Sequence, residues 1–227
     1  MNWQLMMDAA PKLVAAVPTT LMLVFPALII GAGFAILLAL ARLSSSPWLR
    51  PLADAYVFVI RAVPLLVLIF MIYYGLSQFS VVRNTAVWYV LGSKYWCAII
   101  ALTLNSAAYS SEIFRAGFMA VPHGQLEAAS ALGMRRFKIF YRIHLPLALR
   151  SAIPGFGNEL VLLIKASSLA STITILEITG VAKRIVSETL APFEIFIVAG
   201  AIYLTLNFVA IQLVELAERR QRRLAHA

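Results

Sequence analysis

The chain reads Glu127-Ala128-Ala129, three residues, Gly133, nine residues, then Ile143-His144-Leu145-Pro146, all within a basic, polar stretch between apolar runs. Residues 125–132 are mostly good helix formers, and Gly133 can take the left-handed conformation that ends a helix. Leu126, Ala129 and Leu132 then share a face. Small side chains at Ala128 and Ala129 let a helix backbone press into a partner's cleft, while Glu127 offers charge-assisted hydrogen bonds or favours its own helix N-terminus. A second group, Asn105, Tyr109 and Glu112, recurs at i, i+4 and i+7 and so lines one face of a helix. A third, Asn158-Glu159, sits in an apolar run, where an ionisable side chain is costly and marks a functional candidate. Such a carboxylate can attract the ammonium or basic side chain of a solute, and the amide can meet a carboxylate. The structural alternatives are ion pairs: Glu159 with Lys165 or Arg61, and Glu112 with Arg115 three residues on.

These groups suit binding and docking rather than catalysis. No Gly-rich phosphate loop ending in Gly-Lys-Ser/Thr occurs, and no paired-Asp or Ser/His arrangement stands at a membrane face. His123 and His144 lie in the polar loop and His226 is terminal, so no metal-ligand spacing arises. Cys97 is the single cysteine and lies in an apolar run, which suits a small buried hydrophobe. Ser106, Ser110, Ser111, Ser167 and Ser168 read as small packing residues that let helices approach.

The elements that must position these residues are membrane spans. The chain of 227 residues is 62% hydrophobic and only 13% charged, against about a quarter charged in soluble domains. A single domain over 1–227 is expected, all-α, with about five spans at 14–41, 62–82, 95–115, 152–171 and 195–214, because hydrocarbon requires backbone groups to be satisfied internally. Pro26, Gly31 and Gly33 interrupt the first and Pro64 the second. The run 173–190 carries apolar residues at helical spacing with Glu177, Lys183, Arg184 and Glu188 among them. It reads as an amphipathic helix on the outer surface; a sixth span would put Lys183 and Arg184 in hydrocarbon. The region 135–144 reads as a basic amphipathic helix at headgroup level. The net charge of +9 gathers in short loops, which points to topology rather than to nucleic acid. Arg42 and Arg50, then Arg115, Arg135, Arg136, Lys138, Arg142 and Arg150, then the tail Arg219, Arg220, Arg222 and Arg223 alternate with weakly charged connections. The N-terminus is therefore expected outside, with the 122–146 loop and the C-terminus in the cytoplasm.

The Glu-Ala-Ala, Gly, Ile-x-Leu-Pro order resembles the coupling loop of permease subunits in bacterial ATP-binding-cassette importers, where a short helix docks into a separate ATPase. Ala107-Ala108-Tyr109 with Glu112-Ile113-Phe114-Arg115 resembles the segment before that loop in the polar amino acid permeases. Tyr73-Tyr74-Gly75, Asn158-Glu159 and Ser167-Ser168-Leu169-Ala170 also look like this branch. Arg61-Ala62-Val63-Pro64-Leu65-Leu66 resembles its Phe-Arg-Gly-Thr-Pro-Leu-Leu element, with Ile60, Ala62 and Val63 in place of Phe, Gly and Thr, and Leu68 where Gln is usual. The similarity runs from about Thr19 to Arg219 and is greatest to the histidine, arginine and opine half-permeases.

The resemblance implies a type I importer fold in a bacterial inner membrane. It implies an ATPase coupled through Glu127, Ala128, Ala129, Gly133, Ile143, Leu145 and Pro146. A solute-binding protein and a second permease, homologous or a copy of this chain, would complete the complex. No cofactor is expected on this chain, since ATP and Mg would sit on the partner. The substrates implied are cationic or polar amino acids (arginine, histidine, lysine, ornithine) or opines, with Asn105, Tyr109, Glu112, Asn158 and Glu159 as pathway candidates. Competing readings are a secondary transporter or channel without an ATPase, which commonly shows inverted repeats not found between these halves, and a membrane-embedded enzyme.

The charge pattern generates a topology prediction. In a Cys97→Ala background, a cysteine at Gln125 should be labelled only from the cytoplasmic side and one at Ser80 only from outside. Labelling of Gln125 from outside would reverse the orientation.

Overall fold

The computed structural model describes residues 2–225, with side chains as far as Arg219; His226 and the side chains of Arg220, Arg222 and Arg223 lie outside the described set. Within it the chain is helical throughout: α1 (Trp3–Val14), α2 (Val17–Leu43), α3 (Leu49–Ala62), α4 (Leu65–Phe70), α5 (Ser80–Arg83), α6 (Trp88–Leu91), α7 (Lys94–Met119), α8 (His123–Ala131), α9 (Arg136–Ile139), α10 (Leu145–Ala166), α11 (Ile178–Thr189) and α12 (Pro192–Ala225). By length and apolarity four stretches can cross a membrane, Trp3–Leu43, Lys94–Met119, Arg136–Ile173 and Pro192–Arg219, and a bent pair, Leu49–Ala62 with Leu65–Gln78, can supply a fifth.

Three of the expected boundaries shift, each for a local reason. The first apolar helix begins near Trp3 rather than at residue 14, because α1 runs into α2 with only a turn at Ala15–Ala16. The run 62–82 is not one helix. Pro64 pushes Val63 into an extended conformation (φ −86°, ψ 127°), as expected of a residue before proline. The chain there turns through 101° between α3 and α4. From Leu65 it continues through a π turn at Met71–Gly75 and a 3₁₀ turn at Leu76–Gln78. At about 1.5 Å per residue, residues 65–78 rise roughly 20 Å, short of a ~30 Å hydrocarbon core. The preceding α3 is amphipathic and was not anticipated as a helix.

The third shift concerns region 135–144, which is not a separate surface helix. It forms the first turns of the fourth span, joined to α10 by a π turn at Phe140–His144 in which Leu145 donates to the Phe140 carbonyl. Pro146 has no N–H and its ring would crowd the carbonyl four residues back, so the wider turn accommodates it.

The core lies where α2, α4, α7 and the end of α10 meet, around Leu23, Val24, Ala27, Ile69, Ala98 and Leu102. The α2–α7 contact is built from small residues: Ala27, Gly31 and Ala35 on one side, Ser106, Ala107 and Ser110 on the other, all buried. At the end where α7 begins, Lys94 donates to the Thr174 carbonyl at 2.8 Å, bracing a residue with positive φ (61°). In the same region α11 buries Ile178, Ala182 and Ile185 against Ala9, Leu13 and Ile195, leaving Lys183 and Arg184 exposed. At twelve residues it is too short to span. Glu177, expected among its surface charges, is instead its fully buried N-cap, accepting from Gly180 N–H (2.7 Å) and the Tyr203 hydroxyl (2.6 Å).

At the other end α7 and α10 touch backbone to backbone. A Cβ on Gly117 would stand 2.6 Å from the Ala148 carbonyl oxygen, whereas one on Gly200 would meet nothing within 4 Å. Gly117→Ala should therefore destabilise the protein by about 1–3 kcal/mol, and Gly200→Ala should be near neutral. Thermal aggregation midpoints in detergent compare them; equal midpoints would contradict the close crossing.

Candidate functional site

The connection between α7 and α10 is held at its root by side chains from both. Leu126, Phe140 and Leu145 pack with Phe114, Phe118, Val121, Ala148 and Ala152. His144 Nε2 lies 3.1 Å from the Phe118 carbonyl, which accepts from the ring when that nitrogen carries the proton. The same ring meets Phe118 edge-on with centroids 5.2 Å apart. His144 is the unspecified position of Ile-x-Leu-Pro, and the sequence offered no sign that it braces the loop.

On this root sits α8. It ends in a paired closure: Gly133 N–H donates to Ser130 O (2.9 Å) and Met134 N–H to Ala129 O (3.2 Å), with Gly133 at φ 76°, the Schellman geometry. Ala129 is buried and Leu126 half-buried against the protein, while Glu127 and Ala128 face outward. Leu132, expected on the same face as Leu126 and Ala129, is 84% exposed, because the helix ends at Ala131 and the chain turns away. Ile143 and Leu145 are half-buried and Pro146 exposed. The arrangement presents a rigid, capped helix with a small, acidic outer face.

The second candidate site is a cavity of about 470 Å³ at the bend between α3 and α4, lined by Arg61, Val63, Asn105, Tyr109, Glu159 and Leu162 among others. The bend is what admits it, since a straight helix would carry Pro64 and Leu65 past this space. Glu159 is 5% exposed and has no ion-pair partner among the described residues; neither Lys165 nor Arg61 pairs with it. The Ser106 hydroxyl neighbours its carboxyl without closing a well-formed hydrogen bond. A larger groove of about 580 Å³ between α2 and α3 is walled by Phe34, Leu38, Val59 and similar residues and offers a polar solute nothing to hold.

Two expected pathway residues lie elsewhere. Asn158 is exposed on another face of α10, since adjacent helical residues point about 100° apart. Glu112 is taken up by a charge cluster: Arg42 at 2.8 Å, Arg115 at 2.9 Å and Arg61 at 3.8 Å. Arg42 also meets Asp54 at 2.6 Å, so α2, α3 and α7 are tied together. This cluster lines a second cavity of about 460 Å³, and Arg61, Ala62 and Tyr109 line both cavities. Arg61 lies over the Tyr109 ring, 5.0 Å from its centroid. The Arg42–Asp54 and Arg61–Tyr109 contacts join residues far apart in sequence and carried no local signal.

Comparison with known proteins agrees with this architecture. The family described as binding-protein-dependent transport system inner membrane component matches residues 31–223. The chain is 52% identical over 219 residues to the nopaline transport system permease protein of Agrobacterium fabrum, covering 96% of this chain and 91% of that one. It is 37% identical over 205 residues to the histidine/lysine/arginine/ornithine transport system permease protein of Salmonella typhimurium, covering 90% and 87%. A crystal structure of an amino acid ABC transporter superposes with a TM-score of 0.85 at 34% identity, over 97% of this chain and 99% of that one. An inward-facing methionine ABC transporter shares the fold alone, with a TM-score of 0.66 at 18% identity over 95% of this chain and 99% of that one. With a matching family over most of its length and relatives of this similarity, the chain belongs to the binding-protein-dependent transport system inner membrane components.

Proposed function

We propose that this chain is the permease half of an importer for cationic or polar amino acids or opines, and that the cavity beside Glu159 is its part of the solute path. Family membership makes it a transport subunit served by a separate ATPase and a binding protein. The observation that carries the substrate reading is a carboxyl group buried in a membrane span, without an ion partner among the described residues, at the wall of a cavity that Arg61, Asn105 and Tyr109 also line. Such a charge is expensive in hydrocarbon and is offset when a cationic solute occupies the space. Asn105 and Tyr109 add neutral donors and acceptors on the facing helix, a role first expected of Asn158. Relatives that carry nopaline and histidine, lysine, arginine or ornithine by name support the same class of solute.

In this reading the outer face of α8, Glu127 and Ala128 foremost, docks into the ATPase. The Schellman closure at Gly133 and the packing of Ile143 and Leu145 fix its angle, so that motion of the ATPase reaches α7 and α10. ATP and Mg are held by that partner, and a second permease, homologous or identical, completes the pathway. The N-terminus lies outside and the C-terminus in the cytoplasm of a bacterial inner membrane, a reading supported by the loop charges and by five spans when the bent pair is counted as one.

Two experiments test this. Gly133→Val meets no steric obstacle, so its cost is the left-handed backbone, about 1 kcal/mol or more. It should lower the amount of ATPase that co-purifies with the permease, while the spans still insert. Unchanged retention and unchanged transport would remove the docking role. Glu159→Gln keeps the volume and removes the charge; uptake of cationic amino acids into proteoliposomes should fall about tenfold to a hundredfold, with ATPase retention intact. Full uptake in this variant would end the substrate reading.

A further inference from the structure

We infer that Arg61 reads the carboxylate of the passing solute, opposite the cation held by Glu159, and so discriminates amino acids and opines from decarboxylated amines. The inference rests on the reading of the Glu159 cavity as the solute path. Arg61 closes α3 immediately before the bend at Pro64, and its side chain lines both the Glu159 cavity and the one beyond it.

Its guanidinium is little committed. Among the described residues its one ion contact is to Glu112 at 3.8 Å, and that carboxylate already holds Arg42 and Arg115 at 2.8 and 2.9 Å. With 43% of the side chain exposed and five N–H donors in a planar fork, Arg61 has donors free for an incoming carboxylate. Its Cζ lies 5.0 Å from the centroid of the Tyr109 ring, and a guanidinium matches a carboxylate with two parallel bonds. Arg61 and Glu159 line one cavity and make no ion pair with each other. A cavity with a carboxyl group on one wall and a guanidinium on another is complementary to a solute that carries both signs. The solute class is thus an α-amino acid or a carboxylated derivative, not a polyamine.

L-Arginine, octopine and agmatine share a guanidinium side chain and carry one, two and no carboxylates. Their affinities for the full permease–ATPase complex in nanodiscs, without binding protein, can be measured by calorimetry. The wild type should prefer arginine and octopine over agmatine by about tenfold to a hundredfold, the effect of a charge-assisted carboxylate contact. In Arg61→Met the preference should collapse towards unity with agmatine affinity unchanged. Arg61→Lys keeps the charge but loses the fork and should show a reduced preference; it carries the test if Arg61→Met does not assemble with the ATPase. Equal binding of all three ligands by the wild type, or a preference unaltered in both Arg61 variants, would overturn the inference. If the preference survives in the Arg61 variants but Glu159→Gln weakens all three ligands, Arg61 is excluded and the cavity remains the solute site. If neither the Arg61 nor the Glu159 change alters binding, both readings fall.

Discussion

Hydrocarbon leaves a peptide group no partner except another peptide group, and the architecture follows from that constraint. Long helices are the answer for most of this chain, and where the constraint is locally relaxed the functional features appear. Pro64 ends the hydrogen-bond ladder and turns the chain through 101°. The irregular backbone at Val63–Pro64 then lines the cavity shared with Asn105, Tyr109 and Glu159. Pro146 widens the helix into a π turn at the point where the α7–α10 connection re-enters the bundle. The two prolines thus stand at the two places where the backbone departs from a straight helix, beside the cavity lined by Glu159 and at the root of α8.

Charge is distributed by the same rule. Glu112 and Asp54 lie among Arg42, Arg50, Arg61 and Arg115, in contacts of 2.6–3.8 Å, and each carboxylate meets more than one guanidinium. The outermost of these, Arg50 with Asp54, is well exposed at 67% and 44% and contributes little, about 0–1 kcal/mol. The inner contacts fasten α2, α3 and α7 into one body. Glu159 is treated in the opposite way, buried with only a serine hydroxyl beside it. Glu112 and Asp54 are neutralised by neighbouring guanidinium groups, whereas Glu159 has no ion-pair partner among the described residues. That contrast between two glutamates of one bundle sets the brace apart from the candidate site.

The helix α8 shows how rigidity reaches a surface feature. Gly133 and the Schellman closure define its end, while Leu126, Leu145, Phe140 and His144 anchor its base to Phe118 and Ala148. A force applied to Glu127 and Ala128 would therefore be carried into α7 and α10, which cross closely enough at Gly117 that no Cβ fits. Helices that approach backbone to backbone move together more readily than helices separated by long, flexible side chains.

Composition and apolar run length alone determined that this is an all-helical membrane protein, because unbroken apolar runs of about 20 residues suit helices and not the short, alternating strands of a barrel. Local pattern also decided the short helix ended by Gly133, since φ at that residue is a property of a few adjacent peptides. It marked the amphipathic helix now seen at Ile178–Thr189 as well, because the period of its apolar residues is local. The break in the run 62–82 was only half legible: Pro64 marked an interruption, but a 101° bend and the helicity of α3 depend on packing against α2 and α7. Asn105, Tyr109 and Glu112 share a face by spacing, yet spacing is silent about what opposes that face. Only the tertiary structure brings Arg42 from α2 onto Glu112 and Glu159 from α10 opposite Asn105 and Tyr109. Only it turns Asn158 away and buries Glu177 as a cap under Tyr203. Partners dozens of residues distant meet through helix packing, and no local pattern encodes which side chain a helix will find across the gap.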